Sequence, residues 1–298
     1  MFQKIELRRT RDFSAKVNAT FEFLRQNFKA IGKCLIFISG PFILLQGLFS
    51  GLYQKEMLSF DPNSGGLFGN FLGDTFMWFG ISMIFLMFGY IVSLIVVFEF
   101  IRLYEKKENP ELIDVPELWE AVKQFILPMI GAGIAITVII SLGILFLIIP
   151  GIYLMVVFSL IAPVMIIERK SFSDAFSRCF KLISDKWWST FGLLFVTTLI
   201  AGFMAFVFAI PQYIFTFLIA FHKTSDVGAQ PELWQQAGLI IGTMIYSFGA
   251  NLLQGIVFIA VAFQFYNLVE RREAQGLMSK VESFGQDTAQ SAKHEETY

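Results

Sequence analysis

Long apolar stretches alternate with short polar segments along the 298-residue chain. Most of these stretches approach the roughly 20 apolar residues that a helix needs to cross a hydrocarbon core. Because backbone polar groups find no water inside a bilayer, the stretches must be helical. We therefore predict an all-α polytopic membrane domain over residues 1–272 and a polar, partly disordered tail over 273–298. Pro211 is expected to end the fifth membrane helix. The six transmembrane helices are predicted at about 30–53, 76–98, 129–149, 152–167, 188–210 and 239–268.

Amphipathic helices are predicted at one membrane interface, where three segments combine an apolar face with a capped start. The first covers residues 12–29 and begins at Asp12, whereas the other two begin at Asp114 and Ser171. Carboxylate and hydroxyl side chains at such positions cap the free N–H groups of a helix start. An amphipathic helix followed by two membrane helices thus recurs three times. This order is consistent with a threefold repeat, and equally with ordinary juxtamembrane helices.

The third and fourth membrane helices are predicted to form a hairpin at Pro150 and Gly151, a strong turn dipeptide. Residues 129–149 would be roughly 31 Å long as a helix and would reach the far side of a bilayer. Residues 152–167 would be only roughly 24 Å long. We expect the hairpin to span the membrane, with a re-entrant hairpin as the alternative. Pro163 is expected to kink the second arm.

Positive charge is distributed very unevenly and predicts the topology. Only two of the 23 Lys and Arg residues, Lys55 and Lys223, lie outside four segments. Segments rich in Lys and Arg remain on the cytoplasmic side. We therefore expect a multi-pass protein of the bacterial inner membrane with both termini in the cytoplasm. The net charge of −1 predicts no nucleic-acid partner. The four basic segments are 1–33, 102–123, 169–186 and 271–293.

The chain carries few residues that could catalyse a reaction. It has two histidines, His222 and His294, and two cysteines, Cys34 and Cys179. We find no HExxH motif, no phosphate-binding glycine loop and no GxSxG motif. We therefore expect no enzyme activity, no metal and no cofactor. Both cysteines are expected to be reduced, buried thiols on the cytoplasmic side.

One polar stripe lies within the last predicted membrane helix. Thr243, Ser247, Asn251 and Gln254 are separated by four, four and three residues, so they share one helix face. Such a stripe can line a path for a polar substrate. It can equally form hydrogen bonds between packed helices, and the absence of charge favours this second interpretation.

The stretch around the hairpin carries a resemblance to a known family. It reads PGIYL from Pro150, with Ser171, Ala175 and Leu182 further along the same pattern. The pattern resembles the glycerophosphoryl diester phosphodiesterase membrane domain and YciC-like bacterial membrane proteins, and residues 265–277 resemble their Bacteroidota members. The residues to which the resemblance assigns a structural role are Pro150, Gly151, Pro163, Glu168, Arg178, Trp187 and Trp188.

This chain also departs from the family pattern at three positions. Many relatives carry Arg where it has Val157, Ser where it has Cys179, and Gly where it has Asp185. Any role of that arginine therefore does not transfer to this chain. The soluble phosphodiesterase barrel of some relatives has no counterpart in this sequence.

The resemblance implies a six-helix membrane domain of unassigned biochemical role. Our first hypothesis is a non-catalytic scaffold within an envelope complex, in contact with membrane lipids and with protein partners. Bacteroidota proteins of this kind point to a MoxR-type ATPase system as one partner. The alternative is a transporter or flippase-like handler of lipids or small amphiphiles. An intramembrane enzyme is the least favoured hypothesis.

Overall fold

The computed structural model describes residues 4–59, 71–107, 113–225 and 231–274. These residues form helices and no strands, and six helical stretches are long and apolar enough to cross a membrane. The predicted all-α polytopic fold class is thereby confirmed. Most of the tail predicted over 273–298 lies outside the described residues. The helices are α1 (Phe13–Cys34), α2 (Gly40–Ser59), α3 (Phe76–Lys106), α4 (Val115–Phe146), α5 (Ile148–Phe158), α6 (Ile161–Ile167), α7 (Phe172–Ile183), α8 (Trp187–Ser225) and α9 (Leu233–Glu273), with wider π-helical turns at Leu35–Ser39 and Phe71–Thr75.

The first amphipathic segment and the first membrane helix are one continuous helical rod. Asp12 caps its start, since its side chain accepts a hydrogen bond from the N–H of Ala15 at 2.7 Å. The π-helical turn at Leu35–Ser39 joins α1 to α2 without a loop. No proline or turn cluster interrupts this stretch before Pro41, so the backbone continues from the amphipathic part into the apolar part.

Helix α9 is the central element of the bundle. Its residues 255–270 are all buried, and α2, α3 and α8 pack around it. Helix α2 approaches especially closely: a Cβ atom built on Gly47 or Gly51 would lie 2.7 or 2.8 Å from a Cα atom of α9. Small residues allow such close backbone contact between membrane helices. The sequence pattern Gly47-xxx-Gly51 thus marks a real packing seam.

The hairpin between α4 and α5 turns at Leu147 and not at Pro150 and Gly151, as the turn dipeptide predicted. Leu147 has extended backbone angles (φ −157°, ψ 129°). Pro150 lies in the first turn of α5, where its missing N–H needs no partner. In a continuous helix the ring of Pro150 would clash with the carbonyl of Phe146, and α4 ends at that residue. Gly151 instead allows the two arms to approach each other.

The kink expected at Pro163 is confirmed as a two-residue interruption of the α-helix between α5 and α6. The chain leaves the helix at Ser159 and Leu160. A proline ring clashes with the carbonyl four residues earlier, which here belongs to Ser159. Pro163 itself lies in the first turn of α6.

The expectation that Pro211 ends the fifth membrane helix is wrong. Helix α8 continues through Pro211 as far as Ser225. Membrane helices tolerate proline where neighbouring helices protect the freed backbone groups. Helix α9 provides that protection, because a Cβ atom on Gly242 would lie only 2.7 Å from the backbone nitrogen of Gln212. The apolar piece that follows Pro211 is therefore part of α8.

Candidate functional site

One end of the bundle collects most of the described charged side chains, and we call it the charged end. It comprises the N-terminal arm 4–12, the end of α3, the start of α4, the linker 168–171, α7 and the end of α9. Ion pairs join these elements to one another, as between Lys107 and Glu117 at 2.5 Å. The opposite end carries the starts of α3 and α9.

Arg178 on α7 holds two other segments together at the charged end. Its guanidinium binds Glu168 in a bidentate manner, with Nη2–Oε1 at 2.8 Å and Nε–Oε2 at 3.1 Å, and it also binds Glu273 of α9. Burial alone would lower the pKa of Arg178, but the hydrogen bonds that it donates to Glu273 and Glu168 raise it overall, so the group stays charged. Both Arg178 and Glu168 belong to the family-pattern residues, and the fold brings them into direct contact.

The N-terminal arm is fixed to α3 and α9. Arg8 pairs with Glu105 at 2.5 Å, and the Tyr266 hydroxyl donates to the other oxygen of Glu105 at 2.8 Å. Burial lowers the pKa of Arg8, whereas the hydrogen bond and charge of Glu105 raise it, with a net increase. The N–H of Arg11 donates to Asn267 at 2.8 Å. The arm is thus an ordered part of the charged end.

Glu99 is fully buried between two arginines. Arg102, one turn further along α3, donates to it at 2.7 Å, and Arg169 lies 3.0 Å from its second oxygen. Arg169 has a left-handed backbone (φ 56°) and places its guanidinium over the Phe125 ring, 4.5 Å from the ring centre. Spacing in the sequence indicates only the pair Glu99–Arg102. The contact between Glu99 and Arg169 depends on how α6 packs against α3, which the sequence does not indicate.

Lys16 on α1 is buried without a carboxylate among its hydrogen-bond acceptors. Its ammonium donates to Gln264 at 2.6 Å and to Ser189 at 2.9 Å. Gln264 in turn donates to Thr190 at 2.7 Å. This network joins α1, α8 and α9. No local sequence motif predicts this network, because Ser189 and Gln264 lie 173 and 248 residues from Lys16 along the chain.

An apolar cavity of about 460 Å³, partly open at the surface of the bundle, lies between α3, α4, α5, α6, α8 and α9. Two of its three hydroxyl groups are already used within their own helices, and the third belongs to Tyr90. Thr137 donates to the Gly133 carbonyl, and Ser159 donates to the Val156 carbonyl, both at 2.7 Å. The cavity can therefore take an apolar chain but offers little to a polar substrate. Representative lining residues are Tyr90, Met129, Phe158, Leu194 and Phe258.

The structure places the polar stripe of α9 against α2 and α3. Asn251 accepts a hydrogen bond from Ser93 of α3 at 2.7 Å, and Thr243 faces Gln54 of α2 at 3.4 Å. Ser247 is buried beside Gly47, and Gln254 is half-buried. None of the four stripe residues lines the apolar cavity.

Trp187, a further residue of the family pattern, forms an aromatic corner with Tyr153. The Trp187 indole N–H donates to the Tyr153 carbonyl at 3.3 Å, and the two rings stack 6.0 Å apart. Trp188, in contrast, is largely exposed. Both Val157 and Cys179 are fully buried, and burial raises the pKa of the Cys179 thiol to about 12.

The described residues contain no group of three His, Cys, Asp or Glu side chains that could hold a metal ion. No protein-family model, no curated protein and no solved structure matches this chain. The family resemblance therefore rests only on the residues quoted for it.

Proposed function

We propose that this chain is a non-catalytic membrane scaffold, a subunit of a bacterial inner-membrane envelope complex that binds a cytoplasmic protein through its charged end. The observation that supports this proposal most strongly is that ion pairs connect several segments of the charged end. Arg178 alone joins the linker 168–171, α7 and the end of α9, and Arg8 adds the N-terminal arm. Ordering these segments in advance lowers the entropic cost of binding a partner.

Helix α7 provides the surface that this proposal assigns to the partner. Its apolar face, including Ala175 and Leu182, is buried in the bundle. Its other face exposes Ser173, Ser177 and Lys181 to the surroundings. The excess of Lys and Arg in these segments favours their exposure to the cytoplasm. A MoxR-type ATPase is the partner that the family resemblance implies.

Charge reversal on α7 tests the scaffold proposal. We expect Lys181→Glu to reduce, at least severalfold, the amount of protein partner recovered per mole of chain after cross-linking in native membranes, because charges at an interface rim steer association. Lys55→Glu, at the opposite end of the bundle, is the matched control and should retain the partner. Equal recovery in both variants would contradict the assignment of the interface to α7.

The apolar cavity favours a second candidate, a handler of lipids or small amphiphiles. About 460 Å³ of space lined by apolar side chains is within the range of ligand-binding cavities. Mass spectrometry of lipids that remain bound after purification tests this candidate. A bound lipid in fixed stoichiometry, without a protein partner, would favour it over the scaffold.

A further inference from the structure

The start of α5 lies beside the start of α8. The Trp187 indole donates to the Tyr153 carbonyl at 3.3 Å, and the two rings stack. Ile149 and Ile152, at and just after the hairpin turn, line a cleft of about 700 Å³ together with the α7–α8 junction, residues 184–189. The hairpin turn is therefore a neighbour of this junction.

The α7–α8 junction belongs to the charged end. Arg272, at the end of α9, donates to the Ser184 hydroxyl at 2.5 Å and reaches the Asp185 carboxylate at 3.5 Å. Helix α4 begins at the same end, where Glu117 pairs with Lys107. Both the entry to α4 and the turn that follows α4 thus lie near one end of the bundle.

The chain that follows the hairpin turn, α5 and α6, also ends at the charged end. Helix α6 leads directly into Glu168, which Arg178 ties to α7 and, with Glu273, to the end of α9. Ser159 and Leu160 interrupt the regular α-helix between α5 and α6. Phe158, just before this interruption, packs against Phe176 and Phe180 of α7. This places the end of α5 against the amphipathic helix rather than near the opposite end.

The tip of the hairpin, residues 145–149, is entirely apolar and exposed. Its five side chains are between 67% and 80% accessible. No polar side chain occurs from Leu142 to Ile152. The tip continues the exposed apolar surface of α4, which includes Leu127, Ile134 and Val138. A turn facing water on the far side of a membrane would not have this composition.

We propose that α4 and α5 form a re-entrant hairpin whose tip, residues 145–149, is embedded among the acyl chains of the leaflet at the charged end. The neighbouring Trp188 is exposed next to Lys186, and both are residue types that favour a membrane interface. Lipid is the occupant because the tip extends the apolar surface of a membrane helix without any polar group that a protein interface would use for orientation. Both termini stay on the same side of the membrane, with or without this change.

Site-specific fluorescence in oriented vesicles tests the proposal. Single cysteines are introduced at Ile149, at Asp185 as the charged-end reference, and at Leu233 as the opposite-end reference. All three side chains are exposed. The unmodified chain is the blank, because its two cysteines are buried. Each variant is labelled with nitrobenzoxadiazole and reconstituted, and the vesicles are captured through a C-terminal tag so that the charged end faces outwards.

Added dithionite, which does not cross the bilayer, should bleach the label at Ile149→Cys to the same final extent as at Asp185→Cys but more slowly, because the anion enters the acyl chains around the tip poorly. The label at Leu233→Cys should be protected. Nitroxide lipids labelled high on the acyl chain should quench the Ile149 label more strongly than lipids labelled near the chain end. Protection of the Ile149 label from dithionite would overturn the re-entrant hairpin. Bleaching without quenching by either lipid would overturn lipid as the occupant of the tip.

Discussion

At the scale of single residues, several polar side chains inside this bundle connect neighbouring helices. Asn251 is paired with Ser93, and Lys16 is bound by Gln264 and Ser189. Hydrogen bonds between membrane helices contribute modestly, on average about 0.6 kcal/mol each. The half-buried, bidentate ion pair of Arg178 and Glu168 weighs more, since charge-assisted hydrogen bonds are roughly twice as strong as neutral ones. Other buried polar side chains, such as those of Thr20 and Ser39, bind carbonyl groups of their own helical stretch instead.

Asn251→Leu should therefore lower the free energy of unfolding only slightly, by about 0.6 kcal/mol, and should leave growth and envelope integrity unchanged. The reason is that the variant loses one hydrogen bond to Ser93 and no path for a substrate. A double-mutant cycle with Ser93→Ala, measured by thermal unfolding in detergent, isolates this bond. A well-folded Asn251→Leu protein that has lost its function would instead show that the stripe lines a path.

Cys179 should resist alkylation in the folded protein. Burial raises the pKa of its thiol to about 12, compared with about 8.5 for an exposed thiol. The thiolate, which is the reactive form, is therefore scarce at pH 8. We expect N-ethylmaleimide to modify Cys179 only after unfolding in detergent, as measured by peptide mass spectrometry over time.

The same shift predicts a pH dependence of stability. The free energy of unfolding should not depend on this thiol below about pH 8.5, and it should fall as the pH rises towards 12, because the unfolded chain then ionises first. Rapid modification of Cys179 at pH 8 in the native protein would contradict its burial.

At the scale of helices, three prolines show what sequence alone can and cannot predict. Pro150 and Pro163 follow the ends of α4 and α5 by four and five residues, because each proline ring clashes with the carbonyl four residues earlier. The position of the turn at Leu147 follows from this rule, but the dipeptide signal at Pro150 and Gly151 suggested a later turn. Pro211 also lacks a backbone N–H, yet α8 continues through it, because α9 packs against this part of α8. The continuity of α8 therefore depends on a helix that is distant in the sequence, and the residues around Pro211 do not predict it.

The seam between α2 and α9 gives a prediction at the same scale. Gly51→Ala should destabilise the fold by about 1–3 kcal/mol, because the new Cβ would lie 2.8 Å from the Cα of Ile240, a backbone atom that cannot move alone. Gly32→Ala in α1 is the matched control, since nothing lies within 4 Å of its new Cβ. The control should be neutral or stabilising by about 0.5–1 kcal/mol. Equal thermal unfolding of both variants would contradict a tight seam.

At the scale of the whole molecule, hydropathy predicts the number and class of the membrane-length helices well. Six such helices are present, because the cost of burying unpaired backbone groups leaves the chain no other choice. The capping residues Asp12, Asp114 and Ser171 also begin helices as predicted. The ion pairs of Arg178 and Arg169 could not be predicted, because they depend on the arrangement of α6 and α7. The same holds for the neighbours of the hairpin tip.

We propose that this chain works as a subunit of a protein complex. Native mass spectrometry of the assembly extracted from its own membranes tests that claim most directly. We expect a species whose mass equals the chain plus a whole number of protein partners, lost in Lys181→Glu and retained in Lys55→Glu. A chain that is always recovered alone, carrying only lipid, would contradict the scaffold and support the handling of lipids or amphiphiles.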